Sequence, residues 1–158
     1  MTPERDILVD LLDQLDRIAR GASIDRAMLG EPPTTPEAFE AMTPAAQSFS
    51  RALLKSIEQY VDTLQRTIRV QLREAGFRLK GMTPLDVANM AEELDQIADA
   101  RAFRKVIELR NELTHEYPDD AATRFARFTR AVEALPFLDD AASRVRRFAT
   151  TRLPGRSR

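Results

Sequence analysis

The sequence predicts an all-α fold, an up-and-down bundle of about five helices, and three observations carry that expectation. Ala, Leu, Arg, Glu and Asp dominate a 158-residue chain that has only 5 glycines, a composition that favours helix. Apolar residues recur at spacings of three and four, and no stretch alternates at period two. Met-Thr-Pro occurs at 1–3, 42–44 and 82–84, and each copy reads as a helix start. Threonine caps the first turn, and proline at the first helical position gives up an N–H that has no partner there.

The first helix is expected from about Pro3 to Arg20, with Ile7, Leu8, Leu11, Leu12, Leu15 and Ile18 on one face. A long connection over about 21–43 holds GEPPTTP, whose prolines forbid regular helix, although Pro36–Met42 can form a short one. The second helix is the longest, from Pro44 to about Ala75, where Gly76 stops it. Its seam runs through Phe49, Leu53, Ile57, Tyr60, Val61, Leu64, Ile68 and Leu72, and part of it is available to a second subunit. A third helix starts at Pro84 and carries Val87, Met90, Ala91, Leu94 and Ile97. A fourth spans about Asp99 to Glu116, ending before Pro118. The fifth begins at Asp119 or Asp120, with Phe125, Phe128, Val132 and Leu135 inward. Pro136 is expected to break or kink it before a last segment with Leu138, Ala142, Val145 and Phe148.

The length supports one domain over 1–150, with a basic tail over 151–158. Zero cysteines exclude a disulfide scaffold and a thiolate metal site. The acidic pairs Glu92-Glu93 and Asp139-Asp140 lack metal-ligand spacing with histidine. Gly-rich phosphate loops and Ser/His/Asp arrangements are absent, so neither metal nor cofactor is expected. No apolar run approaches a membrane span, and MTPERDILVD lacks the pattern of a signal peptide. The expectation is a cytoplasmic protein without a membrane partner.

The formal net charge of -1 conceals arginines at 144, 146, 147, 152, 156 and 158, with no acid from 141 onward. This segment reads either as a solvated C-terminus or as a phosphate-seeking tail.

One stretch concentrates chemistry: residues 110–117, RNELTHEY, which hold the single histidine of the chain. The apolar column of the fourth helix runs Phe103, Val106/Ile107, position 110, Leu113, so the period places Arg110 in the buried column. Tyr117 returns nearly under Arg110, and Ile107, Asn111 and His115 form the adjacent column. Structural roles are open to each of these residues. A histidine in a last helical turn suits the helix dipole, an arginine in a stripe can snorkel, and a tyrosine can be core.

Arg110-Asn-Glu-Leu-Thr-His115-Glu-Tyr117 resembles the R-x-x-x-x-H-x-Y motif of the HEPN family, the higher eukaryote and prokaryote nucleotide-binding domains, and most closely its HepT-like branch. The resemblance is specific over about 101–120 and architectural elsewhere. It implies a small HEPN-like helical domain that acts as a homodimer and cleaves RNA without a metal. The catalytic residues implied are Arg110 and His115, with Asn111 orienting His115 or bonding a phosphate oxygen. It further implies a toxin–antitoxin pair with a minimal nucleotidyltransferase antitoxin that attaches AMP to Tyr117. The chemistry is coherent: histidine titrates near neutrality, and an arginine fork matches phosphorane oxygens as their charge grows. The alternatives are a non-catalytic partner that binds nucleotide or docks a nucleotidyltransferase, and a plain helical interaction module. Asp119 and Asp120 would repel RNA if they faced it, or serve only as N-caps of the next helix.

Overall fold

The computed structural model describes residues 3–115 and 117–153. Among them are six helices and no strand: α1 (Pro3–Leu29), α2 (Pro36–Glu40), α3 (Pro44–Glu74), α4 (Pro84–Glu93), α5 (Ala100–Leu113) and α6 (Ala121–Arg152). The chain is all-helical, as its composition and periodicity require.

Two of the three Met-Thr-Pro starts can be followed in detail, since Thr2 lies outside the described residues. Thr43 Oγ1 accepts from the Ala46 N–H at 3.2 Å, and Thr83 Oγ1 accepts from Asp86 N–H at 3.1 Å. Asp86 completes a capping box by accepting the Thr83 N–H at 2.8 Å. At the far end of α3, Gly76 has φ 93°, and Phe77 N–H reaches back to Leu72 O at 3.0 Å. That left-handed residue with a bond across the last turn is what ends the helix.

Four boundaries differ from expectation; α4 is one, since it ends at Glu93 and leaves Leu94 and Ile97 beyond it. α1 does not stop at Arg20 but continues to Leu29. Gly21 is tolerated inside it because the next residue, Ala22, packs into the core with 1% exposure. The helix ends where Gly30 takes φ 67° and its carbonyl accepts from Arg26 Nη1 at 2.8 Å. The connection is therefore much shorter than 21–43, with α2 inside it. α6 runs unbroken through Pro136. The proline is exposed, while Leu135 and Leu138 on either side are buried and hold the two halves on one core. α5 stops at Leu113, so Tyr117 is not a helical residue and the expected stacking of 110 over 117 does not arise. Thr114 caps α5, its hydroxyl donating to Asn111 O at 2.7 Å.

α3 is the central element. Its residues Leu53, Ile57, Tyr60, Val61, Leu64, Ile68 and Leu72 are all at most 1% exposed, so the seam is buried within this one chain. Only Phe49, near its start, is half-buried. Arg5 bonds Glu74, and Leu8 and Leu11 cluster with Val70, which sets α1 antiparallel to α3. Tyr60 OH donates to Asp139 Oδ1 at 2.8 Å, and Gln71 Nε2 donates to Val145 O at 2.6 Å, so α6 runs in the same direction as α3. Burial and the hydrogen bond to the Asp139 carboxylate both push the Tyr60 hydroxyl well above the ordinary phenol range, keeping it a donor. α2 seats Phe39 against Phe125 and Phe128. This arrangement brings the end of α5, the start of α6 and the first half of α3 together.

Candidate functional site: an arginine clasp beside a cationic cleft

Arg110 sits at the edge of the buried stripe of α5 and not within it. The stripe runs Ala100, Phe103, Val106 and Leu109, while the Arg110 side chain is 29% exposed. The drift of a 3.6-residue helix explains the difference: spacing of three from 106 leads to 109, and 110 falls on the flank. There Asp62 of α3 clasps the guanidinium with both carboxylate oxygens, from Nε at 2.6 Å and from Nη2 at 3.0 Å. That hydrogen bonding raises the Arg110 pKa against the opposing effect of burial, and the charges of Asp62 and Glu58 act in the same direction. Arg110 Nη1 also donates to Asn111 Oδ1 at 3.3 Å. Asp62 has a signal in the sequence, because Glu58 and Asp62 stand one turn apart on the flank of the α3 seam.

His115 follows the end of α5, its N–H donating to Glu112 O at 3.2 Å and its ring exposed. It lines a cleft of about 250 Å³ that Tyr117 also lines, beside Arg51 and Lys55 of α3 and Arg124 and Arg127 of α6. Leu54, Leu113 and Pro118 form an apolar floor, and Glu58 is the carboxylate on the wall. Arg110 and Asn111 are not on this wall. Glu58 lies between the two groups: it lines the cleft, and its charge acts on Arg110. Of the four residues singled out in RNELTHEY, two thus meet in the cleft and two form a neighbouring pair behind it.

The loop that carries Tyr117 is held by Arg124. Its Nε and Nη2 donate to Glu40 Oε1 at 3.0 and 2.8 Å, and Nη1 donates to the carbonyls of Pro118 and Asp119 at 2.8 and 2.6 Å. The Glu40 carboxylate raises the Arg124 pKa, mainly through those hydrogen bonds. The same guanidinium lies 5.6 Å from the centroid of the Tyr117 ring, a cation–π contact. Tyr117 is nonetheless 55% exposed. Asp120 serves as the α6 N-cap, accepting from Thr123 N at 2.8 Å and Thr123 Oγ1 at 2.7 Å. These bonds hold its carboxyl below the ordinary carboxylate range.

The four cations of the cleft escape a reading of the sequence that looks for a contiguous basic run. Arg51/Lys55 and Arg124/Arg127 are spaced four and three apart, each as one face of a helix, and only packing joins the pairs. The C-terminal arginines behave otherwise. Arg144 pairs with Asp140 at 2.7 Å and with Asp95, Arg147 with Asp95 at 3.4 Å, and Arg146 with Asp16 at 2.5 Å. They tie α6 to α1 and to the turn after α4, and none lines the cleft. Arg156 and Arg158 lie outside the described residues.

Among the described residues no group of three or more His, Cys, Asp or Glu side chains is placed to hold a metal ion. None of the described helices is long and apolar enough to cross a membrane. No protein-family model matches the chain, and no curated protein or solved structure is similar enough to count as a match.

Proposed function

We propose that this chain is a HepT-like ribonuclease of the HEPN kind, acting as a homodimer and silenced by a partner minimal nucleotidyltransferase in a toxin–antitoxin pair. The observation that carries the reading is the placement of RNELTHEY: its histidine stands exposed on a cleft with four cationic side chains. RNA brings its own nucleophile. In the reaction proposed, the ribose 2′-oxygen attacks phosphorus, the bond to the 5′-oxygen breaks, and a 2′,3′-cyclic phosphate remains. His115 takes the 2′-hydroxyl proton or returns one to the leaving 5′-oxygen. Arg110, oriented by Asp62, offers its Nη1–Nη2 edge to the phosphorane oxygens, and Asn111 steadies that edge. No step is assigned to a metal. One histidine per chain is few for paired acid–base work, and a dimer places two near one substrate.

Tyr117 is the proposed control point. Its exposure leaves the hydroxyl open to AMP attachment, and Arg124 stands beside it to meet the added phosphate. Intact-mass spectrometry of chain co-expressed with its neighbouring nucleotidyltransferase is expected to show one added AMP, mapped to Tyr117. An unmodified tyrosine would remove that part of the reading.

A second reading has its own observation. The clasp of Asp62 balances much of the Arg110 charge, which suits a structural arginine in a non-catalytic partner that binds nucleotide or docks a nucleotidyltransferase. Incubating purified chain with a mixed RNA pool in excess EDTA separates the two. Fragments ending in 2′,3′-cyclic phosphate support the ribonuclease, and intact RNA with retained nucleotide binding supports the partner.

A further inference from the structure

The cleft carries more positive charge than the chain neutralises. Lys55 meets Glu58 at 3.3 Å, and Arg124 commits four of its five N–H groups to Glu40 and two carbonyls. Arg51, in contrast, makes no hydrogen bond or ion pair among the described residues. Arg127 Nε is buried with no acceptor among them, and its one ion-pair contact, to Glu112, is long at 3.8 Å. A buried N–H without a partner is costly, and like charges gathered around a small volume repel. A bound anion offsets that repulsion. Leu54, Leu113 and Pro118, with the exposed Tyr117 ring at the edge, offer the apolar and aromatic surface against which a nucleobase packs. A second cleft of about 150 Å³ shares Arg51, Tyr117 and Arg124 with the first and continues to Gln47 and Ser50, with the Arg124-bound Glu40 carboxylate on its wall.

We infer that the cleft is a nucleotide-phosphate site, in which Arg51 and Arg127 hold the phosphate and the Leu54–Leu113–Pro118 floor takes the base. The inference deepens the ribonuclease reading and rests on it for the source of the nucleotide. One phosphate chemistry serves either a free mononucleotide or a unit of an RNA strand. The continuation into the second cleft favours the strand, with Gln47 and Ser50 beside the next unit.

The test is fluorescence anisotropy of the full chain with a labelled single-stranded RNA oligonucleotide that is 2′-O-methylated throughout. AMP serves as competitor, and Arg104→Ala, on an exposed part of α5 outside the cleft, as control. Arg51→Ala and Arg127→Ala are expected to weaken binding at least about five-fold and to lower the salt dependence by about one phosphate contact each. The exposed Arg51 has no contact to lose, so its variant is expected to melt like wild type. Displacement of the oligonucleotide by AMP assigns the site to nucleotides generally, and failure of AMP to displace it assigns the site to strands. Wild-type affinity in both arginine variants overturns the inference, as does wild-type protein that binds neither probe. A methylated 2′-oxygen cannot attack phosphorus, so binding is read apart from cleavage. A chain that binds the oligonucleotide yet cuts no RNA loses the ribonuclease reading and keeps this one. A chain that cuts RNA while both arginine variants bind like wild type does the reverse.

Discussion

Arg110 stands between a structural and a catalytic role, and Asp62 is the residue that separates them. The pair is partly exposed on both sides, at 29% and 40%, so solvent screens it and its removal costs little stability. Asp62→Asn is predicted to lower unfolding free energy by no more than about 1 kcal/mol in a urea titration. If the clasp positions the guanidinium for phosphate, the same variant is predicted to lose about ten-fold or more in RNA cleavage, and Arg110→Lys, which lacks the planar fork, is predicted to lose at least as much. Gln71 is a different case. It is fully buried, donates to Val145 O and accepts from Gln96 Nε2 at 2.8 Å. Gln71→Ala strands the Gln96 amide and opens a cavity, so a loss of about 2–4 kcal/mol is predicted by denaturant unfolding. At this scale the sequence singled out the RNELTHEY residues by type, whereas the spacing that put Arg110 in the buried column above Tyr117 did not hold. It did not disclose Asp62 as the partner of Arg110, because that contact depends on how α5 turns against α3.

The elements differ in how well local signals mark their ends. α3 was legible at both ends, where Thr43-Pro44 starts it and Gly76 with positive φ stops it. α1 was not, since Gly21 reads as a stop while the burial of Ala22 against the core carries the helix onward. A Cβ built at Gly21 meets nothing within 4 Å, and its φ is not positive. Gly21→Ala is therefore predicted to raise stability by about 0.5–1 kcal/mol, read as a higher melting temperature. Pro136 gave a false break for a related reason: it removes one hydrogen bond, and buried side chains around it outweigh that loss. Pro136→Ala is predicted to stabilise by about 1–3 kcal/mol, in the same assay. The α6 cap adds a pH dependence. Asp120 has a folded pKa below its ordinary 3.8, so its contribution is full above that value and disappears as pH falls through the lowered one. The stability difference between wild type and Asp120→Ala is predicted to shrink as pH falls below about 4, measured by urea unfolding across pH.

On the scale of the whole molecule, one continuous core runs through all six helices, from Leu15 of α1 to Val145 of α6. The composition and periodicity made the all-helical class legible, whereas the meeting of α3 and α6 that assembles the cleft was not. Arg51, Lys55, Arg124 and Arg127 are far apart in the chain and look like ordinary solvated helix faces until packing joins them. Conversely, three of the six arginines of the visible C-terminal run, Arg144, Arg146 and Arg147, are paired with Asp16, Asp95 and Asp140. Charge that is scattered in sequence thus converges beside His115, and part of the charge that is clustered in sequence is paired with carboxylates elsewhere. We propose that this convergence serves metal-independent RNA cleavage. The most direct test is the cleavage rate of an RNA pool in excess EDTA for wild type beside His115→Ala. Cyclic-phosphate products are expected from wild type, with a loss of at least about 100-fold in the variant, the scale of a removed acid–base group. Equal rates from the two proteins, or no cleavage by folded wild type, would contradict the proposal.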